Sequence, residues 1–207
     1  IYMTSFILWN KKLDRAVVLT SRVKRFLAIL LFTTFAMTAL CLSSPSCTNM
    51  VIFTPLILTY GISTLLEKIF FISFKNKGKQ RIKSIAGLRT IAITASYGKT
   101  SIKNYLYHVL KNKYKTYKTP RSVNTIAGIV LDVNRDIPLD TQIYIAEAGA
   151  RVKGDIEEIA MFLEPEICVI GSVGEQHIEY FKTLDNIIYT KMELLKSPKM
   201  KMGFVHE

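Results

Sequence analysis

Cysteine is scarce in this chain of 207 residues, with Cys41, Cys47 and Cys168 the only three. They show no paired spacing for a metal site, and two of them fall in or beside apolar segments. Neither a zinc centre nor a disulfide framework is therefore expected. Acid is missing from one long stretch: between Lys75 and Arg121 every charged residue is Lys or Arg, whereas residues 132–193 are rich in Asp and Glu. The net charge of +12 is thus concentrated in a basic block. Such a block suits a solvated face beside a membrane, an anionic lipid surface, a polyphosphate ligand or nucleic acid. No base-reading motif or stacking platform accompanies it, so no nucleic-acid partner is expected.

Charge of either sign is absent from residues 26–42 and 50–66, each near the lower length limit for crossing a hydrocarbon core about 30 Å thick. The apolar fraction of 49% is high for a purely soluble chain. The segment between them, 43–49, also lacks charge, while the outer flanks carry Lys11, Lys12, Arg15, Arg22, Lys24 and Arg25 on one side and Lys75, Lys77, Lys79, Arg81 and Lys83 on the other. Basic flanks predict a helical transmembrane hairpin with both ends in the cytoplasm. Pro55 is compatible with a membrane helix, and the second apolar segment argues against a cleaved signal peptide. The alternative is a pair of buried core helices. Residues 1–9 could be the tail of an earlier span. The chain starts at Ile1 rather than Met and ends at Glu207 inside an α/β pattern, as a piece of a longer protein would.

After the basic stretch the pattern becomes strand, loop, helix: a β-branched run at 90–94 (TIAIT), a polar loop, then a helical run at 102–111. Gly98, Lys99 and Thr100 at the junction have the chemistry of a phosphate loop. Backbone N–H groups at a helix start cradle phosphate, a lysine reaches the terminal phosphates, and a hydroxyl ligates Mg²⁺. Ile93 stands where the standard pattern has its first glycine, so the motif is read from its context. Two more strand-like runs follow, 142–146 ending in Glu147 and 167–170 leading to Gly171 and on to His177. In an open parallel sheet, groups at the carboxyl ends of strands meet in one crevice, which would bring Lys99, Glu147 and His177 together. Glu147 is a natural Mg²⁺ ligand there, or otherwise a cap or solvated acid; His177 is a candidate for a second metal or a phosphate-bound water, or otherwise a structural histidine.

Four stretches in this order resemble the central ATPase domain of the Mur ligase family: 94–101 (TASYGKTS) its phosphate loop, 120–128 (PRSVNTIAG) its substrate loop, 146–150 (AEAGA) its acidic strand end, and 173–179 (VGEQHIE) its histidine motif. Residues 189–193 (YTKME) add a fifth, with Lys191 at the family's metal-site lysine, carbamylated in some members; otherwise Lys191 is a surface lysine paired with an acid. The resemblance implies a three-layer α/β fold with a parallel P-loop-type sheet over 84–207, truncated at its C-terminus and preceded by the membrane region 1–83. It implies ATP and Mg²⁺, with Ser96, Tyr97, Gly98, Lys99, Thr100 and Ser101 around the phosphates, and Thr100 and Glu147 on the first Mg²⁺. His177 and Lys191 would hold the second, and Asn124 and Thr125 the nucleotide-linked substrate. Lys99, His177 and Lys191 are the implied catalytic set.

The branch most resembled joins D-alanyl-D-alanine to a UDP-linked muramoyl tripeptide through an acyl phosphate, in peptidoglycan synthesis. That implies a bacterial inner-membrane location with the catalytic domain on the cytoplasmic side, and membrane lipid as a partner. Ala95 departs from the family glycine, and a positive φ there would strain the loop. Residues 1–207 alone are expected to be inactive. The alternative function is a non-catalytic, membrane-anchored nucleotide-binding or scaffold protein.

Overall fold

A computed structural model describes residues 19–42, 53–176 and 178–206. The chain divides into two compact units, 1–72 and 73–207.

In the first unit, helix α1 (Ser21–Leu42) packs on the first part of helix α2 (Thr54–Ser84). The Thr33 and Thr59 hydroxyls share a buried hydrogen bond of 2.8 Å, and Arg25 pairs with Glu67 while lying over the Phe70 ring. Contact positions rise along α1 as they fall along α2, so the helices run antiparallel. Their outward faces carry large exposed apolar side chains, among them Phe32, Phe35, Ile57 and Leu65. Both helices are long and apolar enough to cross a membrane by length and composition. The expected segment 50–66 differs in extent: the helix starts at Thr54 and runs unbroken to Ser84, while residues 50–52 and the connection 43–49 lie outside the described residues. The basic flank of Lys75, Lys77, Lys79, Arg81 and Lys83 therefore sits on the same helix, in keeping with the helix propensity of lysine and arginine.

The second unit begins at Ser73 and holds five strands: β1 (Arg89–Thr94), β2 (Thr116–Lys118), β3 (Ile143–Glu147), β4 (Ile167–Ile170) and β5 (Met202–Val205). They form one sheet in the order β2-β3-β1-β4-β5, and every neighbouring pair is parallel. The helices are α3 (Lys99–Leu110), α4 (Ile126–Arg135), α5 (Asp155–Leu163), α6 (Ile178–Phe181) and α7 (Leu184–Met192), with a 3₁₀ turn at Glu193–Lys196.

Alternation along the strands makes three layers. Ile91, Ile93, Ile143 and Ile145 point to one face, where Ile102 and Leu106 of α3 cover them. Ala92, Tyr144, Ala146 and Cys168 point to the other, against Ile129 and Val133 of α4, Ile156 and Ile159 of α5, and Phe74 and Ile82 of α2. Strands buried on both sides read as continuous apolar runs, as all-parallel sheets require. Register then fixes the site. Ile93 lies opposite Glu147 and Thr94 opposite Ile170, so the central strands β3, β1 and β4 end level with one another.

Candidate functional site

The turn after β1 is held by its neighbours before any ligand arrives. The Ser96 N–H donates to the Ser172 carbonyl at 2.8 Å and the Ser96 hydroxyl to the Gly174 carbonyl at 2.9 Å. Ala148 and Gly171 donate to the carbonyls of Ile93 and Thr94. Gly98 precedes α3 with φ +76°, a left-handed conformation that favours glycine. Ala95 is fully buried and is not among the residues with positive φ, so the strain expected from the missing glycine does not arise.

Lys99 opens α3. Its Nζ donates to the Ala95 carbonyl at 2.6 Å, to the Ser96 carbonyl at 3.2 Å and to Gln176 Oε1 at 3.4 Å. Burial lowers its pKa, and the Glu147 charge partly opposes the shift. Glu147 itself ends β3 fully buried. The Lys103 ammonium lies 2.6 Å from its Oε1, yet no hydrogen bond meets either carboxylate oxygen. Glu147 is therefore neither a helix cap nor a solvated acid. An interior carboxylate with one counter-cation and an idle oxygen needs a further partner to offset its desolvation.

The 119–125 loop forms the opposite wall. Asn124 accepts from the Gly149 N–H through its carbonyl at 2.8 Å. The Thr125 hydroxyl caps α4 by accepting from the Gly128 N–H, so part of its role is local. Lys191, on α7, is 5% exposed, and no acidic partner meets it among the described residues. Burial first, and the Lys99 charge second, bring its pKa down to about 8. The surface-lysine alternative is thereby corrected.

Lys99, Thr100, Asn124, Thr125, Glu147 and Lys191 line one cavity of 530 Å³, together with Ser122, Arg151, Asp155 and Gln176. Of the remaining sequence candidates, Ser96 is buried behind the loop and Ser101 faces solvent on α3. Tyr97 is 58% exposed, with its ring over Gly174, where a Cβ would come within 2.8 Å of it. His177 lies outside the described residues.

The residues present fit a hard divalent cation. Glu147 keeps a buried oxygen without a hydrogen-bond partner, and Thr100 lines the same cavity. Among the described residues no three His, Cys, Asp or Glu are placed so that they could hold a metal ion by themselves. The remaining ligands would have to be phosphate oxygens and water, the usual company of Mg²⁺.

Sequence reasoning missed Lys103, Gln176 and Arg151. Lys103 had a signal, since it follows Lys99 by four residues and so shares its helix face. Gln176 and Arg151 stand inside or beside recognised motifs, without a spacing of their own to single them out.

The family profile described as Mur ligase middle domain matches residues 93–205, more than half of the chain. The chain belongs to the Mur ligase family. Curated Mur ligases similar to it include the UDP-N-acetylmuramoyl-tripeptide–D-alanyl-D-alanine ligases of Borreliella burgdorferi, 35% identical over 107 residues (52% of this chain, 23% of that protein), and of Bacillus subtilis, 32% identical over 113 residues (55% and 24%). Among solved structures, MurF ligase from Thermotoga maritima in complex with ADP is 32% identical with a TM-score of 0.58, covering 62% of this chain and 29% of that one. MurF from Acinetobacter baumannii is 26% identical with the same TM-score, covering 61% and 28%. The chain spans about a quarter of the length of these curated Mur ligases.

Proposed function

We propose that this chain carries the central, phosphate-handling part of an ATP-dependent amide ligase that adds D-alanyl-D-alanine to UDP-N-acetylmuramoyl-tripeptide. The observation that carries the proposal is the cavity at the level strand ends, where Lys99, Thr100, Glu147, Asn124 and Lys191 meet. Support also comes from the ADP bound by the Thermotoga maritima relative and from the substrates in the names of the curated relatives.

In this mechanism the Lys99 ammonium exchanges its loop carbonyls for the β- and γ-phosphate oxygens of ATP. Asn124 and Thr125 orient the UDP-linked peptide. An oxygen of the peptide's terminal carboxylate attacks the γ-phosphorus, ADP departs, and an acyl phosphate results. The D-alanyl-D-alanine amine then attacks the acyl carbon, loses a proton and expels phosphate. Glu147 and Thr100 would hold one Mg²⁺, and His177, with Lys191 once carbamylated, a second. Bound there, Mg²⁺ neutralises charge developing on the transferred phosphoryl group. Fixed cations at that position lower the barrier because the site is arranged before the charge appears.

The two apolar helices support a membrane-tethered enzyme with this unit on the cytoplasmic side of a bacterial inner membrane, in contact with membrane lipid. Their outward apolar side chains would meet acyl chains there, while the Thr33–Thr59 bond and the Arg25–Glu67 pair lie between the helices.

The decisive test is ADP release by the full-length ligase given ATP, Mg²⁺, UDP-muramoyl tripeptide and D-alanyl-D-alanine. Release that depends on both substrates is expected, and silence while a related ligase turns over would sink the proposal. For the tether, alkaline carbonate extraction of membranes should leave the protein in the pellet; recovery in the supernatant would remove the membrane part.

A further inference from the structure

We propose that Lys103 is a positioning residue that ties the Glu147 carboxylate to the backbone of the 119–125 loop, so that one buried ammonium sets both the metal side and the substrate side of the cavity; the idea rests on the ligase reading above. Lys103 is 1% exposed, and a buried ammonium is stable only when its charge is paired and its donors are used. It ion-pairs with Glu147 Oε1 at 2.6 Å and donates hydrogen bonds to the carbonyls of Thr119, at 2.8 Å, and Arg121.

The loop needs such a hold. Arg121 adopts φ +46°, a left-handed conformation that a side-chain-bearing residue keeps only when its surroundings impose it. Three residues later Asn124 lines the cavity and receives the Gly149 N–H. The Thr119 hydroxyl also accepts from the Glu147 N–H at 3.4 Å, so loop and strand end are joined directly as well as through Lys103. Engaging Oε1 leaves Oε2 as the buried oxygen free for a cation. Lys103 itself does not line the cavity, so it acts through Glu147 and the loop, not on substrate.

Wild type, Lys103→Met, Lys103→Arg and the double variant Lys103→Met/Glu147→Gln should be compared as intact chains. Two readouts are ADP affinity by calorimetry with and without Mg²⁺, and the rate at which trypsin cuts between Arg121 and Ser122, followed by mass spectrometry. Lys103→Met is expected to reduce the gain that Mg²⁺ gives to ADP affinity by about tenfold, as loss of a partner behind a metal ligand does. Affinity without Mg²⁺ should stay within about twofold, and the cut at Arg121 should be about tenfold faster as the loop opens locally. Lys103→Arg, which keeps the charge but cannot reproduce three divergent donors, should restore part of the Mg²⁺ gain and little of the protection. Equal loss of affinity with and without Mg²⁺, or a wild-type rate of cutting, overturns the proposal. If Lys103→Met does not fold, the double variant, which removes both charges of the buried pair, carries the loop measurement; wild-type protection in it is equally fatal. Failure of wild type to bind ADP is failure of the ligase reading. It is told apart because the cutting rates need no ligand and still support or overturn the tie.

Discussion

The Gly149 N–H donates to the Asn124 carbonyl at 2.8 Å, and a Cβ at 149 would lie 2.9 Å from Asn124 Cγ. The glycine after the acidic strand end thus leaves room for the asparagine of the opposite wall. Gly149→Ala should displace Asn124 at an overpacking cost of about 1–3 kcal/mol. Steady-state kinetics on the full-length ligase should show KM for the UDP-linked peptide rising about tenfold, with Mg·ADP affinity nearly unchanged. An unaltered KM would remove Asn124 from substrate contact.

Lys99→Met should lower Mg·ADP affinity by about 10- to 100-fold, the range expected from losing a charge-assisted hydrogen bond of roughly 1.5–3 kcal/mol. Calorimetry checks this directly. A variant that binds as wild type does would mean that the phosphates lie elsewhere.

Lys191 predicts a pH dependence of stability. Its pKa is about 8 in the fold, against 10.5 for an ordinary lysine. Between those values the unfolded chain binds more protons at this position than the folded one, so stability rises with pH across that window. Denaturant midpoints between pH 8 and 10.5 should climb in wild type and lose that increment in Lys191→Met. The same shift gives Lys191 an appreciable neutral fraction near pH 8, the form that reacts with CO₂, so intact mass spectrometry in bicarbonate is the check for a carbamate.

Asp132 of α4 accepts from the hydroxyls of Tyr117 and Tyr144, each at 2.7 Å. Tyr144 is fully buried, and a buried hydroxyl left without a partner costs about 1–3 kcal/mol. Asp132→Ala should therefore destabilise the α/β unit by about 2–3 kcal/mol, and Asp132→Asn, which still accepts, by about 1 kcal/mol. Urea unfolding of the two variants side by side distinguishes them, and equal losses would assign the effect to packing instead of the hydroxyls.

Gly78 of α2 faces Phe162 of α5, whose Cζ would lie 2.9 Å from an added Cβ. Alanine gains about 1 kcal/mol of helix propensity over glycine but meets an overpacking cost of about 1–3 kcal/mol, so Gly78→Ala should be neutral to mildly destabilising. Gly78→Leu should lose several degrees of melting temperature. A stabilised leucine variant would mean that α2 does not approach α5 this closely.

The central sheet was legible because its strands are short β-branched runs that end in chemistry: 90–94 before the phosphate loop, Glu147 at the end of β3, and 167–170 before Gly171. Period and punctuation carry that much. The helix starts were less so. Residues 67–84 hold no proline, and Gly78 is the one weak breaker among them, so little marks an interruption between the apolar segment and the basic stretch. β5 also escaped notice, because four residues after a turn carry no periodicity that a sheet edge could not override. At the site, Lys99 and Glu147 were readable from position. The inward course of Lys103 was not, because a lysine on a polar helix face is ordinarily solvated, and only the buried Glu147 carboxylate beside it reverses that balance. Lys191 was readable only through the motif around it: its neighbours three and four residues away, Ile187, Ile188, Leu194 and Leu195, are apolar, and the tertiary packing of α7 strips it of water.

The resting bonds of Lys99 make the phosphate loop a site entered by exchange. Its ammonium already has three oxygen partners, at Ala95, Ser96 and Gln176, so a newcomer must offer more than a single neutral acceptor to displace them. A nucleoside offers only neutral acceptors there, whereas a chain of phosphates brings both charge and several oxygens at once. On the proposed function, a preference for polyphosphate over neutral ligands follows from these bonds, ahead of any contact with the base.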